Sequence, residues 1–155
     1  MPSEFIERQK NDLIRDISAF GSLFACILFA LIFFLEKDYQ MFTKIVFGFI
    51  IIYVVVIAIR SVHFKERPKK LSHTNIFSKL DASAFPSLHA ARSTFLGFIL
   101  VDFFNNRIIS IILAILVIFI AYSRIYLQKH DFKDVLGGVG LGVLVYIFTT
   151  FLSPF

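Results

Sequence analysis

Long apolar runs separated by short charged stretches organise this chain. Ile17 to Leu35 and Met41 to Ile59 each hold 19 residues, the second interrupted only by Lys44 near one end, where a lysine reaches the interface. Ile108 to Ser123 is a third run and Val135 to Phe155 a fourth, with no charge. Crossing the hydrocarbon core of a bilayer takes about 20 residues as helix. A fifth segment, Ala82 to Val101, has that length but carries Pro86, His89 and Arg92 in its first half. A charge at the bilayer centre costs at least about 2.5–3.5 kcal/mol on insertion scales. These residues are therefore expected at the membrane edge or facing a polar cavity between helices. The pattern predicts an all-α integral membrane bundle of about five transmembrane helices, a single domain over residues 1–155. Residues 1–16 are expected as an amphipathic or frayed interfacial tail, with Ile6, Leu13, Ile14 and Ile17 on its apolar side. The acidic residues Glu4, Glu7, Asp12 and Asp16 argue against a removable signal peptide.

Composition agrees. Hydrophobic residues make up 57% of the chain and charged residues 17%, and the mean hydropathy is +0.79. A soluble domain is about 45–50% apolar and about 25% charged, so a soluble globule is excluded, and 21 Phe exclude disorder. The net charge of +5 points to anionic head groups or a phosphate-bearing substrate rather than nucleic acid. The single Cys26 rules out an intramolecular disulfide and reads as a small packing residue.

With five spans, the N-terminal tail, the Arg60–Asp81 loop and the Arg124–Asp134 loop share one side. That side holds 12 Lys and Arg against three on the other, and all four histidines, His63, His73, His89 and His130. A hydrophobic chain that collects its chemistry at one face looks like an interfacial enzyme.

Three blocks on that side carry candidate chemistry. In Ser123-Arg124-(five residues)-His130-(three residues)-Asp134, helical spacing would let the last two hydrogen-bond. A carboxylate on one imidazole nitrogen fixes the tautomer and frees the other nitrogen for attack or proton transfer. A helix end between Arg124 and His130 would bring the guanidinium back to the ring. A solvated basic loop with an incidental pair is the plainer alternative. In Phe85-Pro86-Ser87-Leu88-His89, Pro is favoured in a first helical turn. Ser87 and His89 are thus expected at a helix N-terminus, where free N–H groups favour an anion, although a capping Ser and an interfacial His would look the same. Arg60 and Arg67-Pro68 supply two guanidinium forks able to clamp a phosphate, or simply a basic flank for anionic lipid.

Together and in this order the blocks resemble the type 2 phosphatidic acid phosphatase (PAP2) superfamily, whose pattern is K-x6-R-P, P-S-G-H and S-R-x5-H-x3-D. Nine of its eleven fixed positions match here. Arg60 stands where Lys is usual, keeping the charge, and Leu88 where Gly is usual, keeping the backbone N–H. The resemblance implies that His130 attacks phosphorus to form a phosphohistidine and that Asp134 orients it. It implies that His89 protonates the leaving oxygen and then helps activate water. Arg60, Arg67, Ser87, Arg124 and the N–H groups near Leu88 would hold the phosphoryl oxygens, with no metal and no other cofactor. Membrane members commonly have six helices, one more than is read here.

The remaining features take plainer readings. Gly138 and Gly142, flanked by Gly137 and Gly140, suit close helix packing. Arg92 is placed to reach the pocket or to form a structural pair, Tyr122 and Tyr126 suit interface anchoring, and the histidines lack metal-ligand spacing. The expected function is a multi-pass membrane lipid phosphatase. Its candidate substrates are isoprenyl diphosphates, phosphatidylglycerol phosphate, phosphatidic acid and lipid A 1-phosphate. A phosphotransferase of the same fold and a non-catalytic anion or lipid binder are the rivals, and the second has no use for a nucleophile–orienter pair. The positive-inside rule places the rich face in the cytoplasm, whereas the resemblance implies an extracytoplasmic active site; the latter is preferred because several of those cations have another task.

Overall fold

A computed structural model describes residues 2–68, 80 and 82–152. Lys69, Lys70, Ser72 and His73 lie outside them. Among the described residues six long helices follow one another: α1 (Pro2–Ser18), α2 (Leu23–Leu35), α3 (Tyr39–Val62), α4 (Leu88–Phe104), α5 (Arg107–Tyr126) and α6 (Phe132–Leu152). No strand occurs among the described residues.

Local sequence explains the boundaries. Ser22, Asp38, Ser87 and Asn106 each cap the helix that follows, accepting a backbone N–H through the side chain. Asn105, left-handed at φ 42°, ends α4 one residue before the cap of α5. Asn tolerates that conformation better than most residues, so a two-residue turn suffices.

The helix α3, α5 and α6 are each long and apolar enough to cross a membrane. The Ile17–Leu35 run is not one straight helix. It breaks at a 3-10 turn, Ala19–Gly21, and the capping Ser22, and Gln9–Gly21 with Leu23–Leu35 forms a fourth span only as a pair bent by 46°. The fifth segment starts later than its hydrophobicity predicts, because Ser83 to Ser87 stay outside the helix and leave α4 with 17 residues. Pro86 therefore precedes the cap instead of occupying the first turn. The residues expected as an amphipathic or frayed tail form a helix through Ser18, with Ile14 buried and Leu13 exposed. This helix packs along α5, and Lys10 lies over the Tyr126 ring.

The centre of the bundle is α4, buried on all sides from Ala90 to Leu100 apart from Phe98, and packed most extensively on α6 and α5. Small residues permit this. A Cβ at Gly138 would run into the Ser87 carbonyl oxygen, and one at Gly142 would come 2.5 Å from the Ala91 oxygen. The Gly138/Gly142 pair thus makes the close contact its spacing suggests. On the other flank Phe49 and Phe95 meet edge to face at 5.5 Å, with Gly48 leaving room for the Phe95 ring. Ile108, Ile111, Ile112, Ile115 and Ile118 are exposed along α5, a stripe that in water would be a liability and in lipid is the solvated face.

Candidate active site

The three sequence blocks meet at the N-terminal end of α4. Arg60, buried in the last turn of α3, donates from Nη1 to the Leu80 carbonyl and from Nη2 to the Pro86 carbonyl, both at 3.0 Å. The Ala84 N–H donates to the Lys65 carbonyl at 2.7 Å, and the Ser87 N–H to the Asp134 carbonyl at 2.9 Å. These bonds join the first block to the second and the second to the third. The first N–H groups of α4, including that of Leu88, have no partner upstream within the helix and lie at this junction, with Ser87 as the cap.

The third block is built by a helix end. Helix α5 stops at Tyr126, Gln128 turns left-handed at φ 54°, and the N–H groups of Lys129 and His130 both donate to the Arg124 carbonyl, at 3.1 and 3.2 Å. Such a turn satisfies the last carbonyls of a helix and carries His130 back beside Arg124, as the spacing suggests. The helix α6 then opens with a reciprocal cap: the Asp134 N–H donates to Asp131 Oδ1 at 2.9 Å and the Asp131 N–H to Asp134 Oδ2 at 3.0 Å. His130 and Asp134 therefore do not share a helix face. His130 precedes the helix and Asp134 lies in its first turn, with Nδ1 to Oδ2 at 3.9 Å, longer than a hydrogen bond.

Electrostatics converge on His130, which is 4% exposed. Burial and the charges of Arg67 and Arg124, with a smaller contribution from Arg60, push its pKa down to about 3. At neutral pH the ring is uncharged and keeps a nitrogen lone pair. His89, in the first turn of α4, is half-buried, and Arg124, Arg92, Lys129 and His130 are the groups whose fields reach it. His63 is exposed. Among the described residues no three of His, Cys, Asp and Glu are grouped to hold a metal.

Sequence reasoning missed three participants. Lys65 places its ammonium 2.6 Å from both Asp131 Oδ2 and Asp134 Oδ1. Burial works against that charge, but the two carboxylates outweigh it and raise the lysine pKa; the same contact lowers the pKa of Asp131. Ser18 accepts a hydrogen bond from Arg124 Nη1 at 3.1 Å. Gly21 sits so close to His89 that a Cβ would lie 3.2 Å from the His89 carbonyl oxygen. An open cleft of about 630 Å³, lined by His63, Lys65, Phe85, Asp131, Phe132 and Lys133, adjoins the site.

A family model described as the PAP2 superfamily matches residues 61–154. Among solved structures, the chain is similar to the first transmembrane PAP2 type phosphatidylglycerolphosphate phosphatase from Bacillus subtilis. The TM-score is 0.75 at 20% identity, over 94% of this chain and 77% of that one. It is similar also to Aquifex aeolicus LpxE, with a TM-score of 0.75 at 19% identity, over 91% of this chain and 85% of that one. No curated protein matches in sequence.

Proposed function

This chain belongs to the PAP2 superfamily, and from that premise we propose that it is a lipid phosphatase acting at the membrane surface through a phosphohistidine. The observation that carries this reading is the buried His130 set among three arginines, its pKa pushed down by burial and by their charges, with Asp134 3.9 Å from Nδ1 and the N-terminus of α4 alongside. Nucleophilic attack on phosphorus needs an uncharged imidazole nitrogen, and phosphoryl transfer needs cations around the equatorial oxygens.

In this mechanism His130 Nε2 attacks the phosphorus, and Nδ1 faces Asp134, which stabilises the positive charge that develops on the ring. Arg67 and Arg124 take the phosphoryl oxygens. Arg60 adds its field while holding the Leu80 and Pro86 carbonyls. Ser87 and the Leu88 N–H offer further donors, in the manner of an oxyanion hole. His89 serves the leaving oxygen as donor, and water then cleaves the phosphohistidine.

The substrate is a phosphomonoester or diphosphate of a membrane lipid. The test is inorganic phosphate release from a panel of lipid phosphates in detergent with EDTA present. Turnover by the wild type and none by His130→Ala is expected; a variant as active as the wild type refutes the assignment.

The catalytic face is extracytoplasmic in this account. Arg60, Lys65, Arg67 and Arg124 are engaged at the site, so they weigh little in the charge count that favours the cytoplasm. A cysteine at position 72 in a Cys26→Ser background, labelled on intact cells by a membrane-impermeant thiol reagent, checks this. Labelling only after lysis contradicts it.

A further inference from the structure

One buried cation has no task in that mechanism. Arg92 is 4% exposed and lies three residues beyond His89 on α4, about 4.5 Å further along the helix. Its Nη1 donates to Tyr53 Oη at 2.7 Å, its guanidinium lies over the Tyr53 ring, and its Nη2 is 3.4 Å from His89 Nδ1. Its Nε is buried with no hydrogen-bond partner. Among the described residues no carboxylate lies within ion-pair distance of it. A buried guanidinium is held at a cost unless an anion meets it, and a phosphoryl group bound at this site would be that anion.

Resting on the phosphatase reading above, we propose that the substrate is a lipid diphosphate, and that Arg92 binds its inner phosphate while His130 attacks the outer one. Depth supports this order. His130 and Asp134 belong to the Ser87 end of α4, and Arg92 lies one turn towards the bilayer. The lipid chain runs into the bilayer, so the phosphate joined to it occupies the deeper position.

The His89 contact points the same way. Arginine has only donors, so a hydrogen bond to Nδ1 requires the lone pair there and leaves the ring N–H at Nε2. A ring in that state donates a hydrogen bond to a leaving oxygen but carries no second proton to surrender. A lipid alkoxide needs a full proton; a phosphate leaving group does not. The groups facing His89 are Arg92 on its own helix, Arg124 on α5, and Lys129 and His130 in the turn after α5, none of them a carboxylate.

The step balances without a co-reactant beyond water. A bond forms from His130 Nε2 to the outer phosphorus as the bond to the bridging oxygen breaks. That oxygen departs with the electron pair as a terminal oxygen of the lipid monophosphate, held by Arg92 and the His89 N–H. Water adds to the phosphohistidine, releasing inorganic phosphate and restoring His130.

The experiment compares a 15-carbon prenyl diphosphate with the monophosphate of the same chain, using the full chain in detergent. The wild type should favour the diphosphate by about 10²-fold or more in kcat/KM. Arg92→Gln should lower diphosphate turnover by about 10²–10³-fold, the usual effect of losing one preorganised donor. It should lower monophosphate turnover far less, collapsing the preference. Equal losses on both substrates would mark Arg92 as structural and overturn the proposal, as would a wild type indifferent to the second phosphate. If Arg92→Gln does not give monodisperse protein, Tyr53→Phe, which frees the guanidinium from its hydroxyl, is read for the same change of ratio. Release from neither substrate overturns the diphosphate assignment, and refutes the phosphatase reading as well if no other lipid phosphate of the panel is hydrolysed; release from both at similar rates refutes the diphosphate assignment alone.

Discussion

Replacing Lys65 by Ala removes the cation that neutralises Asp134. The carboxylate is fully buried, and its Oδ1 loses a 2.6 Å contact, while Oδ2 keeps only the Asp131 N–H. Leaving one buried acceptor without its partner costs about 1–3 kcal/mol. The second arm, to an Asp131 side chain that is 44% exposed, adds at most about 1 kcal/mol because solvent screens it. If the Asp134 arm is felt wholly in the transition state, kcat falls by about 5- to 150-fold, since each 1.36 kcal/mol is tenfold. Lys65→Arg should retain most of the rate. The effect should appear in kcat rather than KM, because Lys65 acts on the orienter of the nucleophile and makes no demand on the lipid. The assay is initial phosphate release over a range of substrate mole fractions in mixed micelles. A Lys65→Ala enzyme with wild-type kcat would show that Asp134 needs no counter-ion and would refute the reasoning.

Arg67→Ala and Arg124→Ala should each reduce kcat/KM by about 10²–10³-fold, measured in the same assay; a tenfold or smaller loss contradicts their placement on the phosphoryl oxygens. Gly138→Leu should destabilise the bundle by about 1–3 kcal/mol or more, because the added side chain meets backbone at Ser87 and cannot be accommodated by a rotamer change. Loss of monodisperse protein on size exclusion, against an unaffected Gly140→Leu where nothing lies within 4 Å, checks it. Folded His130 has its pKa pushed down to about 3 from 6.5, so between those values the unfolded chain binds a proton that the folded one refuses. Stability should therefore fall as pH drops from about 6.5 towards 3. Thermal unfolding of the wild type should show a steeper acid-side decline than that of His130→Gln, and identical slopes count against a buried neutral ring.

The parts of this structure that were legible in the sequence are those fixed by short-range rules. The lipid-facing runs declared themselves by composition, the Ser87 cap by its position after Pro86, and the return of His130 to Arg124 by the need for a helix end between them. The Gly138/Gly142 spacing announced the contact with α4. What escaped depends on distant residues or on local competition. Lys65 finds Asp134 across 69 residues and Arg124 finds Ser18 across 106, and no periodicity connects them. The bend near Ser22 was hidden inside an uncharged run, although Gly21-Ser22 is a turn signal in its own right. The late start of α4 reflects backbone groups at Ala84 and Ser87 that bond to Lys65 and Asp134 instead of continuing a helix. His130 and Asp134, although spaced by four, do not share a helix, because the cap at Asp131 starts α6 between them.

The most direct measurement is a rapid quench of the enzyme with a lipid phosphate labelled in the terminal phosphoryl group. The account predicts a protein-bound label that is acid-labile and base-stable, maps to the peptide containing His130, and is absent from His130→Ala. A wild-type enzyme that releases labelled phosphate at full rate while carrying the label on another residue, or on none at any quench time, would contradict it.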